Sequence, residues 1–268
     1  MEKHAETLVR DFITTYLQDN LENLRQFDFK ELQNSEKFGC HDRPFDCDDT
    51  NIMRAIYVVL WGDLLPNLTM ENFGYRKQYR GDTMNTFHTM FGRPIEGRPG
   101  FFAGLEKYSP NDALREKVRH FGKLCSNIGN YLVLPNYYAN NTTLNCYRGT
   151  NDWHDFFDRF LIELYKVQTN AASQDKVLAE LVRINNFCFK HFQGRENFQN
   201  FLDAMLLTDY CDSQTRLPTE IFAMNYHWMD EKNPEKYFQD SERYLFHTEK
   251  IIRSRCNQII AQLQQKLA

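Results

Sequence analysis

Two short segments of the chain contain the tripeptide Tyr-Arg-Gly and concentrate charged and hydrogen-bonding side chains. The first covers residues 79–89 and the second covers residues 145–154. A guanidinium beside the free N–H groups of a helix start can bind an anion such as a phosphate, because both carry positive charge. The sequence therefore predicts a ligand site where the two segments meet. Its candidate residues are Arg80, Asp82, Thr83, Asn85, His88, Asn145, Arg148, His154 and Asp158.

A purely structural explanation competes with the ligand site at both segments. In the first segment, Asp82 or Thr83 caps a short helix that is predicted to begin there, and Arg80 forms an ion pair. In the second, His154 and Asp158 stand four residues apart on one face of a predicted helix. A carboxylate at this spacing can orient an imidazole for acid–base chemistry, but the same spacing is common in surface ion pairs. The sequence leaves both explanations open.

Known metal and cofactor motifs are missing from the sequence. Cys40, His41 and Cys47 lie near several aspartates, but structural zinc sites use closer cysteine pairs such as C-x-x-C. The chain also lacks a P-loop, a dinucleotide-binding glycine fingerprint, a nucleophile elbow and the H-E-x-x-H motif. We therefore expect no metal and no cofactor, and we leave open whether the protein is an enzyme.

Charge is unevenly distributed along the chain. The formal net charge is -4, yet residues 76–123 hold 10 Lys and Arg against 5 Asp and Glu. Aromatic residues are interleaved with these basic residues, a mixture that suits docking to an acidic protein surface or neutralising phosphate groups. The negative total makes nucleic acid a less favoured ligand.

The sequence also indicates where the protein resides. No run approaches the roughly 20 apolar residues of a membrane-spanning helix, and the first residues do not form a secretory signal. The 7 cysteines are odd in number and scattered, which favours free thiols in a reducing compartment. We expect a cytoplasmic protein that does not associate with a membrane.

Apolar residues recur at helical spacing through most of the chain, which predicts a mainly α fold. The pattern becomes strand-like on both sides of a turn rich in Pro and Asn, which predicts a β-hairpin over about residues 131–147. No linker divides the chain, so residues 1–268 are interpreted as a single multi-helix domain. Two terminal helices, over about residues 4–18 and 234–267, are candidates for peripheral arms. The long C-terminal helix is also compatible with a homodimer.

Several short segments, taken in order, resemble a family of uncharacterised bacterial proteins known only as a domain of unknown function. The resemblance covers about residues 45–222 and rests on Leu60-Trp61, Leu65-Pro66, Gly81-Asp82-Thr83, residues 128–135, Leu144-Asn145, Arg148-Gly149, residues 158–164 and residues 197–210. It implies a bacterial source and a mostly helical fold with a small β element. It supplies no activity, substrate or catalytic residue.

Two hypotheses of function follow from the sequence. The favoured one is an interaction protein, such as a toxin antagonist or a defence-associated protein, that binds a protein partner through the basic, aromatic surface at residues 76–123. The alternative is an enzyme or sensor that binds a nucleotide or another phosphate-bearing small molecule at the Arg80 and Arg148 segments.

Overall fold

A computed structural model describes residues 3–32, 34–39, 47–74, 76–85, 112–150, 156–171, 175–222 and 234–268. Within these ranges the helices are α1 (Lys3–Leu17), α2 (Asn51–Trp61), α3 (Asp112–Leu124), α4 (Leu144–Thr150), α5 (Phe157–Gln168), α6 (Lys176–Ile184), α7 (Asn186–Phe189), α8 (Arg195–Ala204) and α9 (Pro234–Leu267). Short 3₁₀ helices connect several of them. The predicted mainly α fold with a long C-terminal helix is confirmed. No helix in the described ranges combines the length and the apolarity needed to cross a bilayer.

Helix α2 lies at the centre of the hydrophobic core. Its N-terminus is capped by Thr50, whose side chain accepts a hydrogen bond from the Met53 N–H. Nearly every residue of the helix is buried, as its apolar composition predicts. At its C-terminal end the indole N–H of Trp61 donates to the carbonyl of Ala204 at 2.9 Å, which ties α2 to the end of α8.

The described sheet has two antiparallel strands, β1 (Tyr79–Thr83) and β2 (Tyr131–Pro135). The strand predicted at the start of 131–147 is confirmed, but the predicted partner at 143–147 is wrong because these residues begin α4. Thr143 explains the helix: its hydroxyl accepts a hydrogen bond from the Cys146 N–H and caps the first turn. The two strands are therefore distant in sequence and do not form a hairpin.

Strand β1 also corrects the expected helix start at Asp82 and Thr83, since both residues are in the strand. Gly81 makes this position possible. A Cβ atom there would lie 2.0 Å from the backbone oxygen of Asp48, so only glycine allows the strand to approach the 3₁₀ helix Cys47–Asp49. This contact depends on tertiary structure, which helical periodicity does not report.

Both terminal helices pack against other described elements. Helix α1 lies against α2 and buries five residues: Ala5, Leu8, Val9, Phe12 and Leu17. Helix α9 packs on the 3₁₀ turn Ile128–Asn130 that precedes β2. Gly129 permits this approach, since a Cβ atom there would lie 2.0 Å from the carbonyl oxygen of Ile252. These contacts place both helices against the same core as α2.

Candidate functional site

The two Tyr-Arg-Gly segments meet in the folded chain. Asp82 on β1 forms an ion pair with Arg148 on α4, and Asn145 donates a hydrogen bond to the same carboxylate at 2.7 Å. Asn145 also donates to the carbonyl of Gly81 at 3.2 Å. The structure therefore brings Asp82, Asn145 and Arg148 together, and the Asp82 carboxylate, proposed from the sequence as part of a ligand site, is the centre of their hydrogen bonding.

Arg80 is held by a carboxylate of its own. Its Nε donates to Asp49 at 3.0 Å, and the other oxygen of Asp49 accepts a hydrogen bond from the Gly81 N–H at 2.9 Å. The neighbouring Asp48 accepts a hydrogen bond from the Thr83 hydroxyl at 3.1 Å. Both aspartates are buried. The ion pair of Arg80 agrees with the structural explanation of this segment.

Arg148 is enclosed by aromatic rings as well as by its carboxylate. Its guanidinium carbon lies 4.8 Å from the ring centre of Phe157 and 5.2 Å from that of Phe160. The remaining nitrogen of its fork donates to the carbonyl of Met84 at 3.0 Å. Its Nε is buried and has no hydrogen-bond partner among the described residues. Cation–π contacts in a desolvated site stabilise such a buried charge.

Asn85 belongs to a separate amide cluster at the end of β1. Its side-chain amide donates to the Tyr210 hydroxyl at 2.9 Å and to the Asn130 side chain at 3.1 Å. Asn130 donates back to the Asn85 carbonyl at 2.8 Å. Burial raises the pKa of Tyr210 well above its ordinary range, so this hydroxyl stays protonated. The cluster holds three chain regions together through neutral groups.

Asp158 binds backbone rather than a ligand. It is fully buried at the start of α5, and one of its oxygens accepts hydrogen bonds from the N–H groups of Ile221 and Phe222 at 2.8 Å and 3.0 Å. Burial raises the pKa of Asp158, while these N–H groups act in the opposite direction. Its predicted partner His154, like the candidate His88, lies outside the described residues.

The local charge balance of the Arg80 and Arg148 segments limits their chemistry. Each guanidinium is buried against a carboxylate, so an incoming phosphate would have to displace Asp49 or Asp82. Grooves on the described surface beside α1, α8 and α3 are lined by other residues. This arrangement suits a structural network that fastens α4 to β1 better than it suits an anion site.

The described part of the basic segment at residues 76–123 is partly neutralised by α9. Lys117 pairs with Glu242 at 2.9 Å, and His120 approaches Glu249 at 3.3 Å. Residues 86–111 lie outside the described ranges, and several of the basic and aromatic residues predicted for this surface lie with them. At Lys117 and His120, glutamates of α9 therefore place negative charge beside the basic residues.

A groove of about 390 Å³ runs between α3 and α9 beside these pairs. It is lined by Glu116, Lys117, His120, Phe121, Leu124, Glu242, Leu245, Phe246 and Glu249. The ring of Phe246 is 68% exposed, more than any other large apolar side chain described. Tyr244 and Leu245 are buried, and Phe246 was not among the residues predicted for a binding surface. The signal was present, because three consecutive apolar residues on a helix cannot all face the same core.

Comparison with known proteins gives a family but no function. No curated protein and no solved structure matches the chain. A family model matches residues 105–259, which begins and ends later than the resemblance seen in the sequence. The matched part contains the whole α3–α9 groove and Arg148, but not β1. The chain therefore belongs to a family of unknown function, DUF6994.

Proposed function

We propose that the protein acts by binding another protein chain in the groove between α3 and α9. The single observation that carries the proposal is the position of Phe246, an exposed aromatic ring at the edge of an apolar-walled groove. Leaving such a ring in water forgoes roughly 1.5–3 kcal/mol of hydrophobic stabilisation. Exposed apolar groups beside a concave surface with a charged rim are typical of docking sites.

The groove lining also indicates the chemistry of the partner. Its rim holds three glutamates against one lysine and one histidine. Electrostatic complementarity favours a partner that offers an apolar or aromatic side chain flanked by basic residues. This proposal differs from the expectation from the sequence, in which a basic, aromatic surface at residues 76–123 binds the partner.

The cellular setting belongs to the same proposal. We place the protein in the bacterial cytoplasm, where its scattered cysteines stay reduced; the six in the described ranges are free thiols. A toxin antagonist or a defence-associated protein is the class of interaction protein that we favour, since it acts by binding and needs no catalytic constellation.

Peptide selection tests the proposal directly. Random peptides displayed on phage and selected on the purified chain are expected to converge on a large apolar residue with Lys or Arg on both sides. Fluorescence anisotropy then measures the affinity of one selected peptide for three proteins. The Phe246→Asp variant and the double variant Glu242→Lys with Glu249→Lys should bind it at least about 10-fold more weakly, which corresponds to about 1.4 kcal/mol.

The matched control is Tyr138→Asp, which alters another exposed aromatic side chain, 53% exposed, away from the groove. It should bind the peptide as the wild type does. Equal affinity of the selected peptide for Phe246→Asp and Tyr138→Asp would refute the groove as the binding surface. Circular dichroism checks that each variant is folded.

A further inference from the structure

We infer that the chain seated in the groove is a second copy of this protein, with each copy inserting Phe246 into the α3–α9 groove of the other. The inference rests on the proposed function and names its partner. The face of α9 that carries Phe246 supports the inference. It offers what the groove requires of its occupant, an aromatic side chain flanked by basic residues.

Phe246 is flanked along α9 by two basic residues. Arg243 precedes it by three positions and Lys250 follows it by four, so all three side chains lie on one face of the helix. All three are exposed. Neither Arg243 nor Lys250 forms an ion pair within the described ranges. The positive charge on this face is therefore available to a partner.

The electrostatic environment of His247, the residue after Phe246, agrees with a positive charge on this face of α9. The pKa of His247 is lowered, first by partial burial and then by the positive charges of Arg243 and Lys250. The two cations therefore lie close enough to His247 to disfavour its charged form. Together with the exposed ring, they form an aromatic anchor between two positive charges.

The groove presents the complementary charges. Glu116, Glu242 and Glu249 lie along its lining with Lys117 and His120. Glu242 pairs with Lys117, and Glu249 pairs with Arg253 and approaches His120. These pairs are about half exposed and contribute little stability, so both glutamates can exchange a partner for an incoming cation at little cost. An anchor with two positive charges therefore meets two glutamates that are held only by exposed, weak pairs.

Anchor and groove occur on the same chain, and they share α9. A two-fold arrangement lets one copy's anchor enter the second copy's groove while the reverse contact forms at the same time. Each dimer then buries two aromatic rings and pairs two sets of charges. Helix α9 has 34 residues and is about 50 Å long, which gives the interface room to extend beyond the two anchors.

Analytical ultracentrifugation of the purified chain tests the inference. The wild type is expected to sediment with twice the 32.0 kDa chain mass at micromolar concentration and to dissociate on dilution. Phe246→Asp should be monomeric throughout, whereas the matched control Tyr138→Asp should dimerise as the wild type does. Both changed side chains are exposed, so loss of folding should not confuse the result, and circular dichroism checks this.

A charge exchange makes the test specific for the pairing. The anchor-reversed variant, Arg243→Glu with Lys250→Glu, and the groove-reversed variant, Glu242→Lys with Glu249→Lys, should each be monomeric because like charges face each other. Mixed together they should form a heterodimer, since both of its contacts are again complementary. Failure of the mixture to associate, or dimers in either variant alone, would contradict the two-fold pairing.

The outcomes also separate this inference from the proposed function. A wild type that stays monomeric yet binds the selected peptide in a Phe246-dependent manner overturns the second copy and keeps the groove as a docking site for another protein. A monomer that shows no such peptide binding overturns both. If the Phe246→Asp variant still forms a dimer, the two copies associate through another surface, which overturns the pairing through Phe246.

Discussion

The carboxylate of Asp82 and the guanidinium of Arg148 form a buried ion pair between residues that are 66 positions apart in the chain. The pair joins β1 to α4, and Asn145 supports it from the same helix. Burying two charges carries a desolvation penalty that their attraction offsets only when both are present. Its net contribution to stability is therefore small while both charges are present, and the loss of one charge is costly.

Removing one member of this pair should destabilise the protein more than removing both. Arg148→Met leaves the Asp82 carboxylate buried without its cation, and we expect a loss of about 3–5 kcal/mol in the free energy of unfolding. The double variant Arg148→Met with Asp82→Leu should recover part of that loss because no charge remains uncompensated. Urea denaturation of both single variants and the double variant measures the coupling.

The exposed pair of Glu180 and Arg183 provides the control for this cycle. It has a short contact of 2.6 Å, but it lies on the surface of α6, where solvent screens it. Its removal should leave the denaturation midpoint unchanged. A double variant at Asp82 and Arg148 that is no more stable than Arg148→Met would show that the pair is not the reason for the loss.

Asp158 should make stability fall as the pH rises through the mildly acidic range. Its folded pKa lies above the ordinary value because burial disfavours the charged form. The folded state therefore holds the proton more tightly than the unfolded state between those two pKa values, so the slope of unfolding free energy against pH is negative there. Above the folded pKa its contribution is constant.

The Asp158→Asn variant tests this sign. It lacks the titrating group, so its stability relative to the wild type should be lowest at the acidic end of the window and should improve as the pH rises. Thermal unfolding of both proteins across the window measures the difference. A stability difference that is independent of pH would mean that burial does not raise the Asp158 pKa.

Helical periodicity predicted most of the fold because local patterns determine which face of a helix is buried. The partner of β2 was missed because the pairing with residues 79–83 depends on Gly81 approaching the Asp48 backbone, a contact between distant segments. The start of α4 was missed although Thr143 is a recognisable cap. There the alternation of residues 143–147 favoured a strand, and the cap and the tertiary contacts prevailed.

The candidate site was predicted in part for a similar reason. Repetition of Tyr-Arg-Gly drew attention to the segments of Arg80 and Arg148, and the structure shows that both contribute to one buried network. What the residue types could not reveal is that Asp49 and Asp82 neutralise the two arginines. Charge partners are set by packing, and Asp49 is 31 positions from Arg80. The consecutive apolar residues 244–246 indicate that one of them faces solvent, but the packing of α9 decides that this residue is Phe246.

Arg255 should be essential for the packing of α9 although it forms no ion pair within the described ranges. It is fully buried, its guanidinium lies 5.6 Å from the Trp61 ring, and it donates to the carbonyls of Gly129, Tyr131 and Met205. Burial lowers its pKa to about 10, so it stays charged at neutral pH. Arg255→Met leaves these carbonyls without their donor, and we expect a loss of roughly 3–5 kcal/mol.

Arg253 on the same helix is the natural comparison for Arg255. Its pair with Glu249 is nearly half exposed, so Arg253→Met should lower stability by less than about 1 kcal/mol. Guanidinium denaturation of the two variants measures the contrast. Similar losses in both would mean that the carbonyl contacts of Arg255 contribute little.

Gly129→Ala should separate α9 from the turn before β2. The new Cβ atom would lie 2.0 Å from the Ile252 carbonyl and 3.0 Å from the Cys256 nitrogen, both helix backbone atoms that cannot move aside independently. Overpacking of this kind lowers stability by about 1–3 kcal/mol or more. Hydrogen exchange should also become faster along α9 around Ile252.

The comparison is Gly194→Ala, where the new methyl group meets nothing within 4 Å but the backbone φ is +85°. Its loss of about 1–3 kcal/mol should come from backbone strain alone and should leave exchange along α9 unchanged. If the two variants gave the same exchange pattern, the close approach at Gly129 would not be what limits the packing of α9.

Inorganic phosphate and nucleotides should leave the melting temperature almost unchanged. A ligand that binds the native state raises the melting temperature by mass action, but the guanidiniums of Arg80 and Arg148 are already neutralised by Asp49 and Asp82. We expect shifts below about 1 °C at millimolar phosphate, at low and at high salt. Differential scanning fluorimetry with phosphate, ATP and GTP measures this. A saturable rise that disappears in Arg80→Gln would show that the guanidinium is available to an anion, and it would restore the phosphate-ligand hypothesis over the structural role that we assign to the network.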